Sequence, residues 1–385
     1  MTPPPEPSAY AFAPPFALFL VCPPGLEPQL LEEARSLGLK ETRLAQGGVE
    51  AMGDWPAIWR ANLELRGAVR VMVALASFRA LHLAQLDKRL RRLDWSGLLP
   101  RGVAIHVEAQ CRQSRIYHAG AAVERLSRAL ADAVGAMTVK TRAEATLGLR
   151  LRIDDDLCTL SLDSSGAPLY QRGYKEAVAK APMRESMAAL FLQAAGFDGA
   201  EPVVDPFCGS GTFVLEAAGM AAGRQAGAAR SFAFEALVGH DAEAFDALRR
   251  PPSGSSEGPP RFFGSDRDAG AVRMAGENAA RARLAALASF ACRTISDAAP
   301  PDGVGPGLVI ANPPYGARIG EGPSLAPLYA TFGRVTRERF SGWRTAIVTS
   351  DDGLARATGL PFQEPGPPVP HGGLRVRLWQ TGPLP

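Results

Sequence analysis

The chain has 385 residues, 46% of them apolar, with 42 Lys plus Arg against 39 Asp plus Glu and a net charge of +3. That composition supports sizeable cores and rules out disorder throughout, and the length points to two or three domains. The small net charge excludes a histone-like polybasic protein but leaves room for a local basic face.

Gly and Pro make up about 19% of the chain, and Lys is scarce beside Arg, which reads as coding bias. Cys22, Cys111, Cys158, Cys208 and Cys292 lie far apart with no C-x-x-C pair. They suit neither a disulfide framework nor a zinc site, so a reducing, cytoplasmic compartment is expected. His82, His106, His118, His240 and His371 show no metal spacing. They read as structural or surface residues, and no metal is expected.

In chain order, residues 1–15 are Pro-rich and read as a disordered tail. Phe16–Val21 is apolar but too short for a signal segment or a membrane span; it reads as a buried strand, and no membrane association is expected. A helical pattern follows (Leu26, Leu30, Leu31, Ala34, Leu37) and ends at Gly38. Leu39–Leu44 and Gly48–Met52 read as strands, Trp55–Asn62 as a helix and Val69–Ala76 as a strand. Strands at Val103–Ala109, Leu147–Asp154 and Cys158–Asp163 flank a helix at Ala121–Val134. This is small α+β structure.

From about residue 184 the pattern changes. A helix at Arg184–Ala195, with Pro182 just before its first turn, opens a strand–helix alternation. Strands are expected at Pro202–Asp205, Arg261–Ser265, Ala288–Cys292, Gly307–Ala311 and Thr345–Thr349, with helices at Phe213–Ala222, Gly270–Arg283 and Leu325–Phe340. Such alternation indicates an α/β domain with a largely parallel sheet. Residues 223–260 interrupt it, and the Pro-Pro-Ser-Gly-Ser-Ser-Glu-Gly-Pro-Pro stretch there reads as a flexible loop.

Charge divides unevenly: residues 1–54 carry −4, residues 55–175 carry +8 and residues 176–385 carry −1. The middle segment includes Lys88, Arg89, Arg91, Arg92, Arg112, Arg115, Lys140, Arg142, Arg150 and Arg152. It suits a polyanion, and equally an ordinary solvated surface.

Four strand ends carry the chemistry. The first runs Val203-Val204-Asp205-Pro206-Phe207-Cys208-Gly209-Ser210-Gly211-Thr212, a buried strand entering a Gly-rich turn and a helix. In open α/β sheets ligands bind beyond the carboxyl ends of the strands, and Gly209 and Gly211 leave room for a ligand to approach the backbone. The string has neither a P-loop nor dinucleotide spacing, and its Asp suits a cationic or hydroxyl-bearing ligand. Cys208 reads as a small packing residue.

The second strand ends at Asp266, suited to ribose hydroxyls or to capping the next helix. The third is expected to end at Ser296-Asp297, where a carboxylate could accept from an adenine amine or be a plain loop acid. The fourth ends in Asn312-Pro313-Pro314-Tyr315. Two prolines stiffen the turn. The Asn312 oxygen and the Pro313 carbonyl can accept both hydrogens of an exocyclic amine while Tyr315 stacks on its ring.

In this order the motifs resemble the class I S-adenosylmethionine-dependent methyltransferases that modify amino groups of bases. The strings Leu169-Tyr170-Gln171-Arg172-Gly173-Tyr174 and Ala181-Pro182-Met183-Arg184-Glu185-Ser186 sharpen the match to the THUMP-domain RNA guanine-N2 methyltransferases. Gln46-Gly47-Gly48-Val49 resembles the N-terminal part of the bacterial 23S rRNA members of that family.

The resemblance implies a Rossmann-like class I α/β sheet preceded by an α+β ferredoxin-like element and a THUMP domain. The expected division is a tail (1–15), a ferredoxin-like element (16–54), a THUMP RNA-binding domain (55–165) and a methyltransferase domain (166–385). It implies S-adenosylmethionine held by Asp205, Pro206, Cys208, Gly209, Ser210, Gly211, Thr212, Asp266 and Asp297, and catalysis by Asn312, Pro313, Pro314 and Tyr315.

RNA is expected to bind through the basic 55–175 segment, and the protein to be a monomer. Since the sequence stops at Pro385, the second methyltransferase domain fused in some bacteria is expected to be absent. A tRNA substrate, a DNA adenine-N6 activity and a non-catalytic ribosome-assembly role stay open as alternatives to 23S rRNA.

Overall fold

The computed structural model describes residues 12–175, 183–250, 261–315 and 324–385. The chain divides into two compact units: Met1–Val21, Leu31–Leu169 and Arg230–Arg249 form one, and Cys22–Leu30, Tyr170–Ala229 and Arg250–Pro385 the other.

The first unit opens with β1 (Phe16–Val21), α1 (Glu27–Ser36, which starts in the other unit's span), β2 (Lys40–Ala45), β3 (Gly48–Gly53), α2 (Trp55–Glu64) and β4 (Arg70–Arg79). Alternate residues of β1 (Phe16, Leu18 and Leu20) are buried, as a half-covered strand requires. Asp54 caps α2, its carboxylate accepting the Ala57 amide at 3.0 Å, and Pro56 sits in the first turn. The strands lie in the order β2-β3-β1-β4, all antiparallel, the ferredoxin-like arrangement. α2 and β4 both belong to this β-α-β-β-α-β unit, which therefore runs past residue 54.

The chain continues through α3 (Leu83–Leu90), β5 (Ala104–Arg112), α4 (Ala119–Val134), β6 (Met137–Thr138), β7 (Leu147–Asp154) and β8 (Leu157–Asp163). β8 pairs with β4, so one continuous sheet extends as β4-β8-β7-β5-β6. Two of the histidines are caps: His82 and His118 accept the Gln85 and Ala121 amides at 3.3 and 3.0 Å, at the starts of α3 and α4. Part of the basic charge is spent locally. Arg91 meets Asp87 and Asp132 at 2.8 and 2.6 Å, Arg152 meets Asp154 at 2.6 Å, and Arg70 and Arg142 both meet Asp163.

The second unit holds α5 (Glu185–Ala194), β9 (Val203–Asp205) and α6 (Thr212–Ala221). The chain then supplies residues 230–249, with α7 (Ala242–Asp246), to the first unit. The second unit resumes with β10 (Phe262–Asp266), α8 (Ala269–Arg281), β11 (Ala288–Cys292), β12 (Leu308–Ala311), α9 (Ala326–Arg339), β13 (Arg344–Thr349), α10 (Asp352–Ala357), β14 (Val369–His371) and β15 (Leu374–Gln380).

Strand order is β11-β10-β9-β12-β13-β15-β14, parallel from β11 to β13 and antiparallel at β15. Every residue of β9 and β12 is buried, the mark of strands covered on both faces. From β9 the chain moves to one side for β10 and β11, then to the other for β12 and β13. The switch point, where such sheets bind ligands, lies between β9 and β12. Gly372 and Gly373, at φ +56° and +83°, close the β14–β15 hairpin as a two-residue turn demands.

Residues 230–249 are ordered by aromatic packing within the first unit. Phe234 stacks on Phe232 with centroids 5.2 Å apart and meets Phe245 edge-on at 5.0 Å. Trp59 of α2 joins them, with His240 5.5 Å from its ring. The Arg230 guanidinium donates to the carbonyls of Pro168 and Ala167 at 2.7 and 2.6 Å. The Pro/Gly/Ser stretch 251–260, expected to be a flexible loop, and Pro182 lie outside the described residues.

Candidate active site at the carboxyl ends of the parallel strands

β9, β10 and β12 are adjacent and parallel, so their last residues share one edge of the sheet. That edge carries Asp205, Asp266 and, one residue past β12, Asn312. Three of the expected strand ends are thus brought together.

The turn after β9 is held by side chains of its own strand, of β10 and of α8. The Asp205 carboxylate accepts the Phe207 amide at 2.9 Å, and Asp266 accepts the Gly209 amide at 3.0 Å. Asp266 also accepts the Asp268 amide at 3.0 Å, so one carboxylate ties the β9 turn to the start of α8. Asn278, fully buried on α8, donates to the Ser210 carbonyl at 3.2 Å.

Gly209 and Gly211 have φ of +51° and +86°, a conformation side chains resist. A Cβ on Gly211 would also come within 3.1 Å of the Phe290 ring and 3.2 Å of Ala275. At Gly211, therefore, internal packing and backbone conformation account for the glycine. Cys208 is buried beside Gly264, where an added Cβ would lie 2.9 Å from its own. Burial raises its thiol pKa well above the usual range, as for a packing residue.

Asp205 is only 2% exposed. Burial pushes its pKa up to about 8, against the pull of the Phe207 amide, and Asp266 adds to the rise. No cation among the described residues offsets it. Burial thus favours the neutral acid at neutral pH, and a cation brought beside it would favour the carboxylate.

Beneath the turn, Arg172 and Glu216 form an ion pair at 3.1 Å, each side chain 1% exposed, and the Tyr174 hydroxyl donates to the same carboxylate at 3.2 Å. This fastens the irregular segment 170–175 against α6. Lys175, paired with Glu185 at 3.0 Å, donates to the Thr212 hydroxyl at 2.8 Å, at the first residue of α6.

Asn312 follows β12. Its Oδ1 is buried and has no hydrogen-bond partner among the described residues. Pro313 is buried, Pro314 exposed and Tyr315 half-buried. Burial, with Tyr329 nearby, raises the Tyr315 phenol above its ordinary pKa, so it stays neutral. Tyr329 of α9 places its hydroxyl 3.3 Å from the Pro314 carbonyl.

Asp297 needs a correction. The third strand ends at Cys292, not at Ser296-Asp297. Asp297 lies beyond it in a short 3-10 turn, Ile295–Asp297, exposed, with its carboxylate accepting the Thr294 hydroxyl at 2.7 Å. Buried Ile295 anchors the turn, and Arg339 of α9 holds the Ser296 and Ala298 carbonyls at 3.0 Å each. The strand itself has the bounds expected from the sequence, Ala288–Cys292, and only the placing of Asp297 at its end is corrected.

Tyr329, Lys175 and Asn278 escaped the sequence reading. Arg172 and Tyr174 fell within a motif string without a role. The best available sign was that string, whose polar residues point to a buried partner. Among the described residues no cluster of His, Cys, Asp or Glu could hold a metal ion, and no helix is long and apolar enough to cross a membrane.

Residues 172–361 match the family described as RMKL-like, methyltransferase domain (UPF0020), and residues 17–72 match the RlmL ferredoxin-like domain. The chain is 36% identical over 361 residues to the "Ribosomal RNA large subunit methyltransferase K/L" of Syntrophotalea carbinolica, covering 90% of this chain and 51% of that protein. It is 34% identical over 362 residues to the protein of that name from Chromohalobacter salexigens, covering 90% and 50%. The chain thus spans about half the length of the curated relatives it matches. Among solved structures it resembles SMU.472, a putative methyltransferase complexed with SAH, with TM-score 0.82 and 26% identity over 96% of this chain and 98% of that one. Residues 17–72 thus form an RlmL-type ferredoxin-like domain and residues 172–361 an RMKL-like methyltransferase domain, carried in one chain.

Proposed function

We propose that this protein transfers a methyl group from S-adenosylmethionine to the exocyclic N2 of a guanine in 23S rRNA. The observation that carries the reading is Asn312, whose buried Oδ1 has no partner among the described residues, on the sheet edge shared with Asp205 and Asp266. An acceptor left open at such a site is suited to an amine hydrogen. The relatives' name supports large-subunit rRNA as the substrate, and the relative solved with SAH supports the methyl donor.

The residues fit that donor. Asp205, buried and without a cation, suits its ammonium-bearing methionine part. Asp266, at the end of β10, suits ribose hydroxyls through its remaining acceptor capacity. Asp297, exposed beyond β11, remains the candidate for the adenine amine. Pro206, Cys208, Gly209, Ser210, Gly211 and Thr212 shape the turn. Bound S-adenosylmethionine supplies a methyl group already activated on sulfonium sulfur.

Asn312 Oδ1 and the Pro313 carbonyl accept the two N2 hydrogens of a flipped guanine, and Tyr315 stacks on its ring. Pro314 stiffens the turn between them. Fixing both hydrogens aims the nitrogen lone pair, and alignment of the two reactants supplies the rate gain. No strong base is needed before attack, since the alkylated nitrogen is acidic and sheds its proton afterwards. The basic 55–175 segment, read as THUMP-bearing, grips RNA as a cytoplasmic monomer would.

Labelled cofactor, offered in turn to a 23S rRNA transcript, tRNA and genomic DNA, tests the reading. Label in the 23S transcript is expected. Label confined to tRNA or to DNA would replace the substrate, and cofactor binding without transfer to any of them would leave an RNA-binding assembly factor.

A further inference from the structure

The turn after β12 has few means of fixing itself. Its prolines donate no hydrogen bond, and Asn312 Oδ1 takes none from the described residues. Its support comes from Tyr329. That side chain is 1% exposed, in the core that also holds Val309, Ala311, Phe332 and Ile347. Its hydroxyl lies 3.3 Å from the Pro314 carbonyl oxygen and 3.3 Å from Thr349 Oγ1.

A carbonyl can only accept, so the single phenolic proton goes to Pro314. The Thr349 hydroxyl then donates to the phenol oxygen, and Thr349 Oγ1 accepts the Asp351 amide at 3.2 Å. The donors thus run in one direction: Asp351, Thr349, Tyr329, Pro314. Burial raises the Tyr329 pKa to about 12, so its proton remains in place at working pH. Thr349 is the last residue of β13, the strand beside β12. The end of one parallel strand therefore steadies the turn leaving its neighbour. The Pro314 carbonyl belongs to the peptide joining Pro314 to Tyr315, so holding it sets where the Tyr315 ring leaves the turn.

We propose that Tyr329 is a positioning residue for amine methylation: oriented by Thr349, it fixes the Pro314 carbonyl and through it the placement of Asn312, Pro313 and Tyr315 on the target base. It touches neither substrate nor cofactor. The inference rests on the reading of Asn312–Tyr315 as the amine-binding turn.

The test compares the full chain as wild type, Tyr329→Phe, Thr349→Val and the double variant, at saturating cofactor with a 23S rRNA transcript. Cofactor Kd and melting temperature are measured on the same preparations. Tyr329→Phe should lower kcat about tenfold, as for loss of one buried hydrogen bond, with cofactor Kd unchanged. Thr349→Val should lose less, and the double variant no more than Tyr329→Phe alone, because the two act through one contact. If Tyr329→Phe does not fold, Thr349→Val carries the test: lower kcat at unchanged cofactor Kd is expected. Wild-type kcat in the tested single variant, a fall that follows cofactor affinity, or additive losses would overturn the inference. A wild-type chain that binds cofactor but methylates no amine would overturn the amine reading and this inference together.

Discussion

The turns after β9 and β12 leave neighbouring strands of one sheet, yet they treat their polar groups in opposite ways. The β9 turn has its backbone groups met by side chains around it: Asp205 of its own strand holds Phe207, while Asp266 of β10 and Asn278 of α8 hold Gly209 and Ser210. The β12 turn leaves the Asn312 acceptor open and takes its support from Tyr329, on a helix that follows it. On the proposed function the first is a socket for the methyl donor, and the second a reading head for the substrate amine, stiffened by proline and with its acceptor open.

Substitutions in and under the two turns should separate their roles. The largest effect is expected under the socket. Arg172→Ala strips the guanidinium from Glu216, itself 1% exposed, and should destabilise the protein by about 3–5 kcal/mol. Urea unfolding measures it, and a loss below about 1 kcal/mol would mean that the pair does not support α6.

At the reading head, Asn312→Ala should cut methyl transfer roughly 100- to 1000-fold, the usual effect of removing one oriented polar group. Cofactor affinity, measured by calorimetry, should stay unchanged, because the socket keeps its own bonds. Equal loss of both would show that the two turns are not separate devices.

Asp266→Ala should do the reverse. Cofactor affinity should fall about 10- to 100-fold, as for hydrogen bonds to a charged group, with kcat at saturation less affected.

The smallest effect is one of pH. The folded pKa of Asp205 is raised from 3.8 to about 8. A group raised in the folded state favours folding while protonated, so this contribution is full below about pH 4 and is lost as pH rises toward about 8. Between pH 6 and 7 the cofactor-free protein should lose on the order of 1 kcal/mol from this group, and Asp205→Asn should flatten that slope. Identical pH slopes for both proteins would mean that Asp205 finds a cation in solution.

Much of this was legible in the sequence because its signals are local. The all-apolar runs before Asp205 and Asn312 mark strands covered on both faces, and Gly, Pro and Asn mark the turns that end them. What was not legible depends on distant partners. Tyr329 is an ordinary aromatic on a helix until the fold sets it against Pro314. Lys175 acquires meaning only beside Thr212. Asp297 looked like a strand end, but the strand stops at Cys292 and a 3-10 turn carries the acid. The interruption after α6 is in part an aromatic layer of the other unit, built on Trp59, and no periodicity in residues 230–249 announces that destination. The net charge of the basic segment stands, but its count did not show that Arg70, Arg91, Arg142 and Arg152 are spent on acids of the same segment.

On the proposed function the β12 turn holds a guanine N2 amine in line with the methyl donor. The most direct test of that role is nucleoside mass analysis of an unmodified 23S rRNA transcript after incubation with S-adenosylmethionine and either the wild-type chain or Asn312→Ala. N2-methylguanosine is expected with the wild type and none above background with the variant. Methylation appearing on adenine, or N2-methylguanosine formed equally by both proteins, would contradict that role.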